Sequence, residues 1–199
     1  MSASGTGRII QLADRKVVRP RDLRNVAAPR EKISQLFEKG ELHRVGRGLY
    51  ISGNYPVSEN HSLVLAAKRY PKGVVCLLSA AQFHGITLEM PSAVWMAFER
   101  GKNVPGPGDL PIQPVKLSET PYHYGIGIHR LEGEEIRIYS VAKTVADCFK
   151  FRNRIGISTA VEILRSAWSG RKVTADELWD AAKICRMLHV MRPYFDTLA

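Results

Sequence analysis

Between residues 19 and 47 the sequence concentrates side chains suited to gripping a polyanion. Arg19, Arg21, Arg24, Arg30, Lys32, Lys39, Arg44 and Arg47 fall there, with Ser34 and Gln35 among them. A guanidinium forks onto phosphate or onto the acceptor edge of guanine, and a Gln amide matches the donor and acceptor of adenine. That repertoire recognises nucleic acid rather than breaking bonds. Two acids flank Ser34 and Gln35 on the same helical stretch. Glu31 suits the first turn of a helix, where the dipole favours negative charge. Glu38 opposes phosphate unless it lies clear of a duplex or accepts from cytosine.

Signatures of catalysis are sparse. The sequence holds no G-x-S-x-G, no H-E-x-x-H and no P-loop. Gly46-Arg47-Gly48 and Gly125-Ile126-Gly127 lack the third glycine of a dinucleotide fold. Six histidines are scattered; His123 and His129 are close enough in sequence to meet, but no third ligand accompanies them. Glu132, Glu134 and Glu135 could serve a metal-dependent nuclease, although a turn between strands is commonly acidic because it is solvated. The expected class is a non-enzyme needing no metal and no cofactor. A nuclease with a DNA-targeting module and a plain transcription factor with a ligand-sensing or oligomerising domain are the alternatives.

A second polar constellation runs from Ser140 to Arg154. Ser140 is placed to cap a helix, and Val141, Val145 and Phe149 repeat at i, i+4, i+8. Lys143, Thr144, Asp147 and Lys150 project from the remaining side. Lys143 and Asp147 either pair with each other or face a partner. Arg152-Asn153-Arg154 follows as a basic cluster suited to nucleic acid, an acidic partner or the helix C-terminus.

The elements that must position these groups follow from periodicity and punctuation. Ile9, Ile10, Leu12 and Ala13 suit a first short helix. Pro20 opens a second, with Leu23 and Val26 at i and i+3, and Pro29 a third. Ile33, Leu36 and Phe37 form the packed stripe of that third helix, leaving Ser34 and Gln35 outward, and Gly40 stops it. Leu42–Val45 and Leu49–Ser52 flank Gly46-Arg47-Gly48 as a hairpin with Arg47 at its tip. Three helices and a hairpin in about 50 residues have the order and size of a winged helix-turn-helix.

Asn54 to Ser58 reads as a linker. Beyond it the pattern is mixed: a helix from Ser62 to Arg69, a short strand at Val74-Val75, a helix capped at Ser79 and ended by Gly85, and a strand from Ala93 to Phe98. Gly101 to Pro114 reads as loop. A hairpin turns at Glu132-Gly133-Glu134, and helices follow Ser140, Ser158 and the capping box Thr174-Ala175-Asp176-Glu177. The expected fold class is α+β, a winged helix-turn-helix over residues 1–55 followed by a mixed α/β domain over 60–199 that ends in a helical bundle.

Bulk properties agree. The 199 residues carry a net charge of +10, which attracts nucleic acid or an anionic membrane surface. Residues 1–60 hold 11 Lys/Arg against 6 Asp/Glu and the rest 18 against 13, so the N-terminal part is more than twice as basic per residue. Cys76, Cys148 and Cys185 lie far apart without C-x-x-C, which fits a reducing compartment. With no apolar leader and no membrane-length apolar run, the expected location is the cytoplasm, with no membrane partner.

Three segments resemble one family. Ile33 to Tyr50 is similar to the recognition helix and wing of the AbiEi family of bacterial antitoxins. Leu77 to Gly85, and Ser140 to Gly156 followed by Ser158 to Trp168, complete the likeness in order. The resemblance implies that the winged helix binds repeats in the promoter of its own operon and represses it. It implies that the second domain, through Lys143, Thr144, Asp147, Lys150, Arg152 and Arg154, counters a nucleotidyltransferase-like toxin encoded alongside, without a stable complex. Arg19, Arg21, Arg30, Lys32, Ser34, Gln35, Lys39, Arg44 and Arg47 are the expected DNA contacts.

Overall fold

A computed structural model describes residues 5–22, 31–102, 104 and 109–195. They form two compact units: one takes the described residues up to Pro71 with 109–110 and 130–135, and the other takes the remainder.

The first unit begins with α1 (Gly5–Ala13). A single 3₁₀ turn at 20–22 stands where a second helix is expected; Leu23, Arg24, Val26, Pro29 and Arg30 lie outside the described residues. Then come α2 (Glu31–Glu38), β1 (Leu42–Gly46), β2 (Leu49–Ser52) and α3 (His61–Arg69). Ile9, Ala13, Val18, Ile33, Leu36 and Leu42 close into a core. Val18 bridges Tyr50, with N–H to carbonyl bonds of 2.8 and 3.0 Å in the two directions, so the hairpin gains a third pairing partner.

Gly40 ends α2 as expected. At φ +71° it turns the chain left-handed, and Glu41 N donates back to Leu36 O at 2.9 Å. The packed stripe holds at Ile33 and Leu36 but fails at Phe37, which is 46% exposed. An eight-residue helix packed through i and i+3 buries a narrow strip, and Phe37, 100° round from Leu36, falls at its margin. Its ring meets the edge of Tyr50 at 6.2 Å.

The stretch read as a linker is fixed within this unit. Tyr55 is buried, and its hydroxyl donates to Glu132 Oε2 at 2.9 Å. Ser58 donates its N–H and its hydroxyl to Glu132 Oε1, both at 2.7 Å, and His61 Nδ1 lies 2.8 Å from Oε2. Glu132 and Gly133 have φ of +49° and +76°, the two left-handed residues of a type I′ turn.

The second unit is built on a five-stranded mixed sheet in the order β5-β4-β3-β7-β6, comprising β3 (Val74–Val75), β4 (Val94–Glu99), β5 (Ile112–Leu117), β6 (Ile126–Leu131) and β7 (Glu134–Tyr139). β3 runs antiparallel to β4 and parallel to β7, while β4 and β5 are parallel. Pro114, expected in a loop, pairs with Met96 inside β5. β5 is an edge strand, where a residue without N–H loses no ladder bond.

Helices α4 (Leu77–Phe83), α5 (Glu119–His123), α6 (Val141–Lys150), α7 (Arg152–Ile155), α8 (Ile157–Ser169), α9 (Ala175–Ile184) and α10 (Leu188–Phe195) complete the unit. α4 starts two residues before Ser79, which is therefore not its cap; the Ser79 hydroxyl instead accepts from Trp95 N at 3.0 Å on β4. The caps expected at Ser140 and Thr174 are present, the latter as a full capping box. α6 is the hub, touching α4, α7, α8, α9 and α10. The fold is thus α+β: a winged-helix-like start, a mixed sheet and a helical end.

Candidate nucleic-acid interface

α2 packs on β1 through its apolar strip, which turns Ser34 and Gln35 to solvent, and both are exposed. Lys39, just past the helix, is exposed too. Lys32 is half-buried, its ammonium 3.5 Å from where a Cβ on Gly5 would stand. Glu31 and Glu38 share the exposed surface, so α2 and its flank carry balanced charge and its outward readers are neutral.

The positive charge comes from the wing and the 3₁₀ turn. Arg47 is exposed at the hairpin tip, between Gly46 and a Gly48 whose φ of +69° suits no bulky residue. Arg44, exposed on β1, donates from Nε to Gly46 O at 3.3 Å and stands 3.9 Å from the Asp109 carboxylate. Half-exposed pairs of that length contribute little, so the Arg44 guanidinium can be recruited elsewhere.

Arg21 is exposed, whereas Arg19 is largely engaged. The Arg19 Nη2 donates to Asp22 Oδ1 at 3.2 Å and its Nη1 to the Lys68 carbonyl at 2.9 Å. Burial pushes the Asp22 carboxyl up, but Arg19 and Lys68 outweigh it and hold the group below the usual carboxylate range. Lys68 reaches Asp22 at 3.5 Å and Glu134 at 2.5 Å. A cavity of about 380 Å³ opens here, lined by Arg19, Pro20, Arg21, Arg47, Gly48, Leu49, Lys68 and Arg69. Sequence reasoning missed Lys68 and Arg69. They sit at the basic end of α3, a helix legible only by its apolar periodicity.

In the second constellation the Lys143–Asp147 pairing, one of the two alternatives, is present, but its placement is inward rather than outward. Lys143, Thr144 and Asp147 are at most 1% exposed, so the side of α6 read as outward is as buried as the other. The physical reason is mutual neutralisation: the Lys143 ammonium pairs directly with Asp147 Oδ2 and lies 4.3 Å from the Tyr139 ring centroid. Cys185 Sγ approaches Asp147 Oδ1 at 3.6 Å. Burial pushes the Asp147 carboxyl up against the pull of Lys143. Gly125, at φ +70°, passes so close that a Cβ there would lie 2.8 Å from that of Lys143.

Lys150, Arg152 and Arg154 lie nearer the surface. Lys150 donates to Cys185 O at 3.3 Å and Arg152 to Phe149 O at 3.0 Å; Arg154 is exposed and stacks 4.9 Å over the Trp95 ring.

Two of the three acids at the turn are engaged within the fold, and Glu135 is exposed. Glu132 receives the Tyr55 and Ser58 donors and faces His61, while Glu134 is paired with Lys68. Among the described residues no group of three His, Cys, Asp or Glu is disposed to hold a metal ion. His129 neighbours Phe83 and His84, at ring distances of 4.8 and 6.1 Å, while His123 meets the Tyr122 ring edge-on at 4.9 Å.

Residues 8–53, from α1 through the wing, match the family described as "Transcriptional regulator, AbiEi antitoxin". This segment is similar to that antitoxin family. The likeness read from Ile33 to Tyr50 is thereby borne out; within the match lie α1, α2 and the β1–β2 hairpin. The fold as a whole is similar to the crystal structure of the RV2827C protein from Mycobacterium tuberculosis, with a TM-score of 0.62 at 12% identity, covering 92% of this chain and 72% of that one. At that identity the likeness is one of fold. Comparison with curated protein sequences gives no match. Among the described residues no helix is long and apolar enough to cross a membrane.

Proposed function

We propose that this chain is a DNA-binding antitoxin that represses its own operon. Ser34, Gln35 and Lys39 meet base edges and backbone from the recognition helix, Lys32 flanks them, and Arg47 with Arg44 serves the wing. Arg21 and the open part of Arg19 hold the flanking phosphates. The observation that carries the reading is the joint exposure, within an AbiEi-like segment, of neutral side chains on α2 and of a wing-tip guanidinium with no ion-pair partner among the described residues.

The DNA-binding module spans residues 1–55 and the antitoxin part 60–199. The latter counters a nucleotidyltransferase-like toxin without catalysis, cofactor or stable complex, in the cytoplasm. Three buried free thiols, Cys76, Cys148 and Cys185, suit such a reducing setting. Within this part, Lys143, Thr144 and Asp147 act by holding α6 in place, and Lys150, Arg152 and Arg154 provide the surface charge.

The test is a reporter driven by the region upstream of its own gene, with the neighbouring gene expressed beside it. Wild-type protein is expected to silence the reporter and to rescue growth. Gln35→Ala with Arg47→Ala should release the reporter yet keep the rescue. A reporter indifferent to the double variant, or a neighbour whose expression needs no rescue, contradicts the reading.

A further inference from the structure

The cavity beside the wing is lined by Arg19, Arg21, Arg47, Lys68 and Arg69. The two carboxylates that touch these cations, Asp22 and Glu134, leave a surplus of three positive charges. Lys68 and Arg69 belong to α3, beyond the matched segment 8–53 and beyond the residues expected to touch DNA. The geometry points to this cavity as a seat for a phosphate of the DNA backbone, with Arg69 as a further DNA contact supplied by α3. The inference rests on the DNA-binding reading above and extends it.

The division of labour within the cavity supports that occupant. Lys68 is buried and committed to Glu134 and Asp22, and Arg19 is tied to Asp22 and to the Lys68 carbonyl. These groups form a stiff floor, because each ion pair fixes a side chain that would otherwise lose entropy on binding. Arg21, Arg47 and Arg69 are exposed, and none has an ion-pair partner among the described residues. Three unpaired guanidiniums at a solvent-facing rim suit a charged strand that runs past, rather than a small ligand that must be enclosed. The presence of Arg47 and Gly48 in the lining joins the cavity to the wing, so a duplex engaged by the wing tip brings its backbone to Arg69.

The experiment measures binding of a mixed-sequence duplex by fluorescence anisotropy across a salt series, because a phosphate contact is independent of sequence. Arg69→Gln is expected to flatten the slope of log K against log salt by about 0.9, one phosphate's worth. Arg69→Lys should keep the slope, and Arg165→Gln, an exposed arginine on α8, should leave it unchanged. A slope unaltered by Arg69→Gln while Arg47→Ala flattens it overturns this inference alone; no change with either variant overturns the DNA reading too. An equal loss with Arg165→Gln reduces the effect to net charge and also overturns it. Calorimetry with inorganic phosphate separates the two sources of the anion. Heat that is lost in Arg69→Gln while the duplex slope stays intact would make the cavity a free-anion site, against the proposal.

Discussion

Glu38 stands exposed on the helix assigned to read DNA, so an approaching phosphate meets a like charge there. Glu38→Gln is expected to tighten binding of a mixed-sequence duplex roughly threefold at low salt, since one exposed charge pair near 4 Å is worth about 1 kcal/mol or less. Anisotropy checks it; an unchanged affinity places Glu38 clear of the duplex. Glu132 carries a different test. Burial pushes its carboxyl up, but the His61, Ser58 and Tyr55 contacts outweigh it, and the folded group titrates below its ordinary 4.5. Between the folded and ordinary values the unfolded chain binds more protons, so stability rises with pH there and is lost on acidification from about 4.5 downward. Thermal melts from neutral pH to about pH 3 should show that loss, and Glu132→Gln should lower the neutral melting temperature while blunting the acid dependence. At this scale the sequence was a good guide wherever exposure follows from helical phase, as at Ser34, Gln35 and the wing-tip Arg47. It was a poor guide to which charges are already spent. Nothing in the spacing of Arg19, Lys68 and Glu134 announces that they share a cluster, because the contacts span 49 and 66 residues.

α6 shows how an element can be found correctly and oriented wrongly. Its N-cap at Ser140 and its stripe of Val141, Val145 and Phe149 were legible, since both are local. Periodicity weighs residues singly and turns its polar side outward, whereas the Lys143–Asp147 pair removes the penalty on both charges together. Removing one partner leaves the other charge uncompensated in the core. Lys143→Met is therefore expected to cost about 3–5 kcal/mol, while Lys143→Met with Asp147→Leu should recover most of that loss. Urea unfolding of the two variants decides it; a silent single variant would mean that water reaches the pair. α4 and β5 make the same point about neighbours. Ser79 has a capping sequence but serves the backbone of β4, and Pro114 reads as a breaker until its strand proves to be an edge.

Across the whole molecule the net charge of +10 is spread over the sequence, and the exposed face of α2 contributes none of the surplus. Affinity is thus expected to come from the arginines around the helix and discrimination from the neutral Gln35 upon it. The α+β class and the order of most elements were legible, but β5 was hidden in a stretch that reads as loop, and the short α5 and α10 carry no clear periodic signal. The sheet order β5-β4-β3-β7-β6 was not legible either, because it is set by pairings between strands far apart in sequence. The central claim, that α2 and the wing tip together engage a duplex, is tested most directly by anisotropy on the duplex upstream of its own gene. The titration is run across a salt series with wild type and with Gln35→Ala plus Arg47→Ala. Wild type should lose affinity with a log–log slope of roughly −5 to −6, as for five to seven phosphates. The double variant should bind at least tenfold more weakly, with a flatter slope and a reduced preference over mixed-sequence DNA. Equal affinity, slope and preference in the two proteins would contradict the account.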